Sequence, residues 1–221
     1  MPRTTTPHLR YLLVLDFEAT CDDTNKIVPK EQMEIIEFPT ILYDIHDDKV
    51  EAVFHEYIRP SLHPQLTEFC TNLTGIQQNT VDAASQFPDV WQRYQQFLRS
   101  HNIIGDEPSS AVFLTCGDWD LKTMLPQQLR LSGITEAFKS SGSEDLKPPF
   151  DRWINIKKSY RNFYEQGHPR GMHGMLRHAK MELEGRHHSG IDDCKNILRL
   201  AQKMRKDGWK PDGELSGSDV V

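Results

Sequence analysis

The sequence has no long apolar run. Its 221 residues are 37% hydrophobic, yet they contain no stretch of about 18 apolar residues, the length that a membrane-spanning helix needs. The segment 1–8 carries one arginine and lacks the hydrophobic stretch of a signal peptide. These absences predict a protein without a membrane span, which we expect in the cytoplasm, the nucleus or both.

Cysteine is scarce and scattered. The four cysteines stand singly, at positions 21, 70, 116 and 194, and no Cys-x-x-Cys pair occurs. This spacing argues against a disulfide framework and against a zinc finger, and it favours a reducing compartment. Cys70 and Cys194 fall in apolar patterns, so we expect them to pack in the core.

The chain also lacks a positive net charge. Its formal charge is −6, which argues against a large non-specific footprint on DNA. The distribution is uneven, because residues 152–180 carry seven lysines and arginines against one acid, Glu165. We interpret this segment as a basic patch. For any one of these cations, a solvated helix face is the alternative.

Two carboxylates interrupt an apolar run near the start of the chain. Asp16 and Glu18 belong to the segment 11–20, Tyr-Leu-Leu-Val-Leu-Asp-Phe-Glu-Ala-Thr, whose composition is typical of a strand. Positions i and i+2 of a strand share a face, so both carboxylates should project together. Their desolvation is unfavourable without a partner, and a divalent cation would serve both. The alternative is that each accepts hydrogen bonds from backbone amides.

A doubled motif precedes a C-terminal helical pattern. His187 and His188 are each followed five positions later by an aspartate, Asp192 and Asp193. Acids in a first helical turn compensate the helix dipole, which is the alternative explanation for the aspartates. That explanation does not account for the paired histidines, and spacing alone does not choose between the two pairs.

A third acidic segment, Asp118-Trp119-Asp120, follows an apolar strand pattern and a glycine. Loops after the carboxyl ends of strands commonly carry the chemistry of α/β proteins. One of the two aspartates could cap the following helix. Carboxylates from three segments favour Mg²⁺ or Mn²⁺ over Zn²⁺, and such clusters hold two ions about 4 Å apart in nucleases. A histidine can then accept the proton of the attacking water.

These motifs, in this order, resemble those of the DEDDh (DnaQ-like, RNase T) 3′–5′ exonuclease superfamily. The segments 34–39, 66–76, 153–160 and 188–197 resemble its Eri-type branch, which includes the 3′ histone mRNA exonuclease and exoribonucleases that degrade small interfering RNA. The resemblance covers roughly residues 10–210. It implies four metal-binding acids and one general base, with Glu18 also contributing to catalysis: Asp16, Glu18, Asp120, Asp193 and His188. The family's Asp-Asp-x-Lys-Asn-Ile run aligns the pair His188 and Asp193.

The resemblance also implies an α/β fold, a ribonuclease-H-like mixed β-sheet flanked by helices. We expect a flexible N-terminus (1–9), one exonuclease domain (10–210) and a disordered tail (211–221). The patterns predict strands at 11–18, 35–44, 50–58, 111–116 and 153–156, and helices at 66–73, 88–100, 120–131, 157–166, 173–182 and 191–206. A hairpin turn is predicted at 46–49, and the apolar stripe of helix 88–100 is predicted to be core.

The resemblance predicts metal-dependent 3′–5′ trimming of single-stranded RNA ends. The cofactors would be two Mg²⁺ or Mn²⁺ ions, and the products nucleoside 5′-monophosphates. Ala19 and Thr20 would meet the terminal nucleotide, and Trp119 would stack on a base or pack in the core. Segments 140–147 and 167–173 could alter access. Action on DNA or on short oligonucleotides and an inactive RNA-binding module are the alternatives, and protein partners could supply targeting.

Overall fold

A computed structural model describes residues 9–165 and 171–211, together with the backbone of residues 216–217. Within these residues one sheet contains seven strands. Their bounds are β1 (Tyr11–Leu15), β2 (Glu18–Ala19), β3 (Ile35–Asp44), β4 (Lys49–Tyr57), β5 (Ala111–Thr115), β6 (Arg152–Asn155) and β7 (Ser216–Gly217). The sheet is mixed, as the resemblance implies.

Helices cover both faces of this sheet. Their bounds are α1 (Glu68–Thr74), α2 (Gln78–Asp82), α3 (Phe87–Ser100), α4 (Leu125–Leu131), α5 (Ile156–Phe163), α6 (Met172–His178) and α7 (Gly190–Lys206). A 3₁₀ turn lies at Lys30–Gln32, and a π-helical turn at Asp120–Met124 leads directly into α4. No helix in the described ranges combines the length and the apolar character that crossing a membrane requires.

The central strand is β1, which pairs antiparallel with β3 on one side and parallel with β5 on the other. β5 pairs parallel with β6, and β4 pairs antiparallel with the far side of β3. β2 continues the line of β1 beside β3. The carboxyl ends of β1, β5 and β6 therefore lie at one edge, where open α/β sheets place their ligands.

Side chains of β1 alternate between two cores, as the period of a strand requires. Leu13 and Leu15 face one core with α3 and α4, whereas Leu12 and Val14 face the other with α5, α6 and α7. The predicted stripe of α3 is confirmed as core, with Val90, Trp91, Tyr94 and Leu98 buried and Phe97 packed against them. Cys70 and Cys194 are buried, as predicted.

The predicted strand 11–18 is interrupted. β1 ends at Leu15, and pairing resumes only at Glu18, which lies opposite Glu37 of β3. The backbone N–H of Phe17 instead donates to Asp120 Oδ1 at 2.9 Å. Proline cannot donate in a ladder, and Pro39 is the next residue of β3 beyond the last β1 partner. The break turns Asp16 out of regular pairing.

Other predictions differ from the structure mainly at element ends. The hairpin turn is confirmed between Asp44 and Lys49. Helix α6 ends at His178, earlier than predicted, and α2 and β2 were not predicted. In the predicted tail 211–221, the backbone of Ser216 and Gly217 pairs with β6. The rest of 212–221 lies outside the described residues, as do residues 1–8 of the predicted flexible N-terminus 1–9.

Candidate active site

An open cavity of about 370 Å³ lies at the carboxyl ends of the three parallel strands. Asp16 follows β1, Cys116 follows β5 and Lys157 lies in the first turn of α5, just after β6. The chain thus brings three separate segments to one place, because parallel strands all end at the same edge of a sheet.

Four carboxylates meet in this cavity: Asp16, Glu18, Asp120 and Asp193. Oxygens of Asp16, Glu18 and Asp193 lie within 4.8 Å of one another. Asp120 is tied to the same region through its hydrogen bond with the Phe17 N–H. The structure therefore brings together the four acids that the sequence singles out.

The clustered carboxylates disfavour their own ionisation. Burial, reinforced by Asp120 and Asp193, raises the pKa of Asp16 well above its ordinary value. Burial and then the charge of Glu37 raise the pKa of Glu18 to about 9. Burial raises the pKa of Asp120 to about 6 and also raises the pKa of Asp193. A divalent cation would offset this repulsion.

The donor chemistry fits such a cation. All four acids offer oxygen ligands, which hard divalent ions prefer. Asp193 Oδ1 is buried and has no hydrogen-bond partner among the described residues, although buried polar atoms are normally paired. A bound cation would supply this missing partner.

The two aspartates of the doubled motif lie in different surroundings. Asp193 is 4% exposed and lines the cavity. Asp192 accepts hydrogen bonds from the Arg186 N–H at 3.0 Å and from Lys195 Nζ at 2.8 Å, and it is not among the lining residues. Successive residues of a helix differ by about 100°, so the first turn of α7 sends only one aspartate into the pocket.

His188 lies beside Asp193 in a strained conformation. Its φ is 63°, in the left-handed region that residues other than glycine rarely adopt, and its N–H donates to Asp193 Oδ2 at 2.9 Å. Burial, followed by the neighbouring His187 and His173, lowers the pKa of His188. The imidazole is thereby kept neutral near pH 7 and able to accept a proton.

Glu37 was not predicted as a site residue. It is fully buried, and its carboxylate accepts the N–H groups of Gly190 at 2.9 Å and Ile191 at 3.1 Å. It thus holds the first turn of α7 against β3. A Cβ at Gly190 would lie 2.6 Å from the Asp16 carbonyl oxygen, so the close approach of α7 to β1 requires glycine. An acid inside the apolar run 35–42 was the available signal.

Lys157 was also missed as an individual residue. Of the seven cations in the predicted basic patch, Lys157 alone lines the cavity among those described, and Arg170 lies outside the described residues. Lys158 forms an ion pair with Asp118 at 2.8 Å instead. The patch is therefore narrower at the cavity than predicted, because Arg152, Lys158, Arg177 and Lys180 are exposed and do not line it.

Neither Asp118 nor Asp120, in the segment after β5, caps the following helical turn as predicted. Asp118 accepts hydrogen bonds from Trp153 Nε1 at 3.0 Å and Asn155 Nδ2 at 2.9 Å, and no side-chain hydrogen bond caps the helical turn. The capping prediction is wrong because both aspartates have partners elsewhere. Trp119 is 40% exposed and lines the cavity, so core packing is excluded.

The two other predicted substrate contacts, Ala19 and Thr20, lie in different places. Ala19 lines the cavity, but Thr20 does not. Thr20 is 1% exposed, and its hydroxyl accepts the Glu34 N–H at 2.9 Å, so its side chain secures the connection to β3. Of the two unusual segments, 140–147 does not line the cavity, and its Leu146 packs into the core. Residues 167–170 lie outside the described residues, whereas Gly171 and Met172 line the cavity.

Comparison with known proteins agrees with this geometry. The RNase_T family, described as Exonuclease, matches residues 13–201. The chain is 41% identical to 3′-5′ exoribonuclease 1 of Mus musculus over 203 residues, covering 90% of this chain and 54% of that protein. It is 40% identical to ERI1 exoribonuclease 3 of Homo sapiens over 199 residues, covering 90% and 55%. The chain thus spans about half the length of the curated relatives it matches.

A crystal structure described as the nuclease domain of 3′hExo, a DEDDh family member bound to rAMP, is also similar. The TM-score is 0.78 at 37% identity, and the match covers 96% of this chain and 98% of that one. The ribonuclease-H-like fold and the resemblance to the Eri-type branch are both confirmed. The family match, the strand order and the acids at the ends of the parallel strands agree, and this chain belongs to the RNase_T family of DEDDh exonucleases.

Proposed function

We propose that this protein is a metal-dependent 3′–5′ exoribonuclease that trims single-stranded 3′ ends and releases nucleoside 5′-monophosphates. The observation that carries the proposal is the cluster of four carboxylates in one cavity with the imidazole of His188. A site that had lost catalysis would need only one of these groups replaced, and all five are present.

Asp16, Glu18, Asp120 and Asp193 would hold two divalent cations, Mg²⁺ or Mn²⁺. When bound, the ions would polarise the scissile phosphate and stabilise the leaving 3′ oxygen. The buried, unpaired Asp193 Oδ1 and the raised carboxylate pKa values support this assignment.

His188 is the proposed general base. Its depressed pKa leaves the imidazole neutral, so that it can take the proton from the attacking water. The backbone N–H of His188 donates a hydrogen bond to Asp193, which fixes the segment before α7 relative to the acids. Lys157 is the one cation of segment 152–180 that lines the cavity among the residues the structure describes, and we propose that it orients the terminal nucleotide.

The proposed substrate is an RNA end rather than an internal segment of a duplex. The cavity is open yet small, and the rim residue Trp119 offers an exposed aromatic face for a base. The relatives are named exoribonucleases, and the similar nuclease domain is bound to rAMP, a ribonucleotide monophosphate. Protein partners that supply targeting are also part of the proposal.

Matched 3′-end substrates test the activity. We expect 5′-end-labelled single-stranded RNA to shorten stepwise from its 3′ end with Mg²⁺ or Mn²⁺, and to stay intact in excess EDTA. Parallel DNA, short oligonucleotides and duplexes with 3′ overhangs measure preference. Cleavage of a circular RNA, persistence of activity in EDTA or binding without hydrolysis would each contradict the proposal. Asp106→Asn, which changes an exposed acid in the loop before β5, is the control.

Trp119→Ala should weaken substrate binding more than chemistry. Base stacking contributes about 1–3 kcal/mol, so we expect KM for single-stranded RNA to rise by about 5- to 150-fold while kcat changes little. Trp119→Phe should retain much of the affinity. Leu131→Ala, which removes another exposed apolar side chain away from the cavity, is the matched control. An unchanged KM in Trp119→Ala would rule out stacking.

A further inference from the structure

Three histidine rings meet at one side of the carboxylate cavity. His173 lies in the first turn of α6, and His187 and His188 precede α7. The ring centroids of His173 and His187 are 4.5 Å apart, and those of His187 and His188 are 3.9 Å apart. The proposed hydrolysis uses only His188, so the other two imidazoles have no assigned role.

His187 and His188 form a compact donor set with Asp193. One ligand atom from each of the three side chains lies within 4.8 Å of the other two. Both histidines are half-buried, and the Asp193 oxygen Oδ1 is buried and unpaired among the described residues. Two imidazoles and a carboxylate, with further coordination positions open, are the protein ligands of many zinc sites.

This set differs chemically from the oxygen cluster beside it. Asp16, Glu18 and Asp193 offer only carboxylates, which suit Mg²⁺ and Mn²⁺, whereas imidazole nitrogens favour Zn²⁺ and its neighbours. Asp193 belongs to both sets, so the two sites share a ligand and compete for it.

We propose that His187, His188 and Asp193 form a binding site for a transition-metal ion of the Zn²⁺ class, and that its occupation inhibits hydrolysis. The inhibition, but not the binding, rests on the proposed function. An ion coordinated there would occupy the lone pair that His188 needs to accept a proton from water. It would also draw Asp193 away from the oxygen cluster.

Metal binding can be measured without substrate. The full chain, with millimolar Mg²⁺ present, is titrated with Zn²⁺ by calorimetry and with Co²⁺ by visible absorption, which reports nitrogen ligation and low coordination number. We expect His187→Asn to weaken Zn²⁺ binding by about tenfold or more and to reduce the Co²⁺ absorption. His46→Asn, in the exposed turn between β3 and β4, should behave as the wild type.

Activity provides the second readout. Basal hydrolysis with Mg²⁺ should be nearly unchanged in His187→Asn, while the Zn²⁺ concentration for half inhibition should rise about tenfold. His187→Gln and circular dichroism of both variants guard against misfolding. Equal Zn²⁺ binding by the wild type and both variants overturns the site, whereas equal inhibition despite weaker binding overturns the proposed inhibition. If Zn²⁺ binding depends on His187 but no hydrolysis occurs at all, the site stands and the proposed function fails.

Discussion

Asp16→Asn is expected to abolish hydrolysis and, in the absence of metal, to raise the melting temperature. The substitution removes one of the carboxylates that repel each other in the cavity, and the amide is neutral at every pH. For a chain of this size, each kcal/mol gained raises the melting temperature by about 2–4 °C. Removal of the Asp16 carboxylate causes both the loss of a metal ligand and the gain in stability of the metal-free protein.

The pH dependence has a defined sign. A carboxyl whose pKa is higher in the folded state binds more protons when folded, so stability falls as pH rises between the two pKa values. For Glu18 this window extends from its ordinary value of 4.5 to about 9. We therefore expect metal-free wild-type protein to lose stability from pH 5 to pH 8, and Asp16→Asn to lose less.

Thermal melts with and without Mg²⁺, and rates on labelled RNA, measure both effects. Added Mg²⁺ should stabilise the wild type more than Asp16→Asn, with Asp106→Asn matching the wild type. A residual rate above about a tenth of the wild-type rate corresponds to less than about 1.4 kcal/mol in activation free energy. That result would remove Asp16 from the proposed ligand set.

The second large effect separates the two adjacent histidines. His188→Ala should reduce kcat by about 10²–10⁴-fold, the usual contribution of a general base, whereas His187→Ala should reduce it little. A base acts when deprotonated, so wild-type kcat should rise with pH through the pKa of His188, which burial places below its ordinary value of 6.5. In His188→Ala this rise should disappear.

Single-turnover rates of the two variants from pH 5 to pH 8 provide the measurement. Circular dichroism is needed because His188 adopts a positive φ, and alanine there is not favoured. His188→Asn, which tolerates that conformation better, is the second variant. A larger loss from His187→Ala than from either His188 variant would assign the base to His187.

The four acids that the sequence singles out lie in one cavity because regular elements position them. Asp16 follows the strand β1, and Asp193 lies in the first turn of the helix α7, so periodicity and strand ends suffice to bring them to one edge. The choice of Asp193 over Asp192 came from the resemblance. In the structure it depends on how α7 is rotated against β3, which Glu37 sets through two backbone N–H groups.

What the sequence did not predict depends on contacts between distant residues. The break after Leu15 involves the carboxylate of Asp120, more than a hundred positions away. Thr20 looked like part of the site loop, yet its hydroxyl binds the Glu34 backbone. Lys157 could not be distinguished from its neighbour Lys158, because only the start of α5 decides which of them lines the cavity.

The distance between Asp193 and Asp16 depends on how closely the backbone of α7 approaches β1 at Gly190. Any side chain there would meet the Asp16 carbonyl at 2.6 Å, so α7 could not remain in place. Even a small displacement of the helix would carry Asp193 away from Asp16, although the four acids and His188 would all still be present. A substitution of Gly190 would therefore reduce activity although all the proposed metal ligands and the general base were unchanged. Surveys that score only ligands and bases would overlook it.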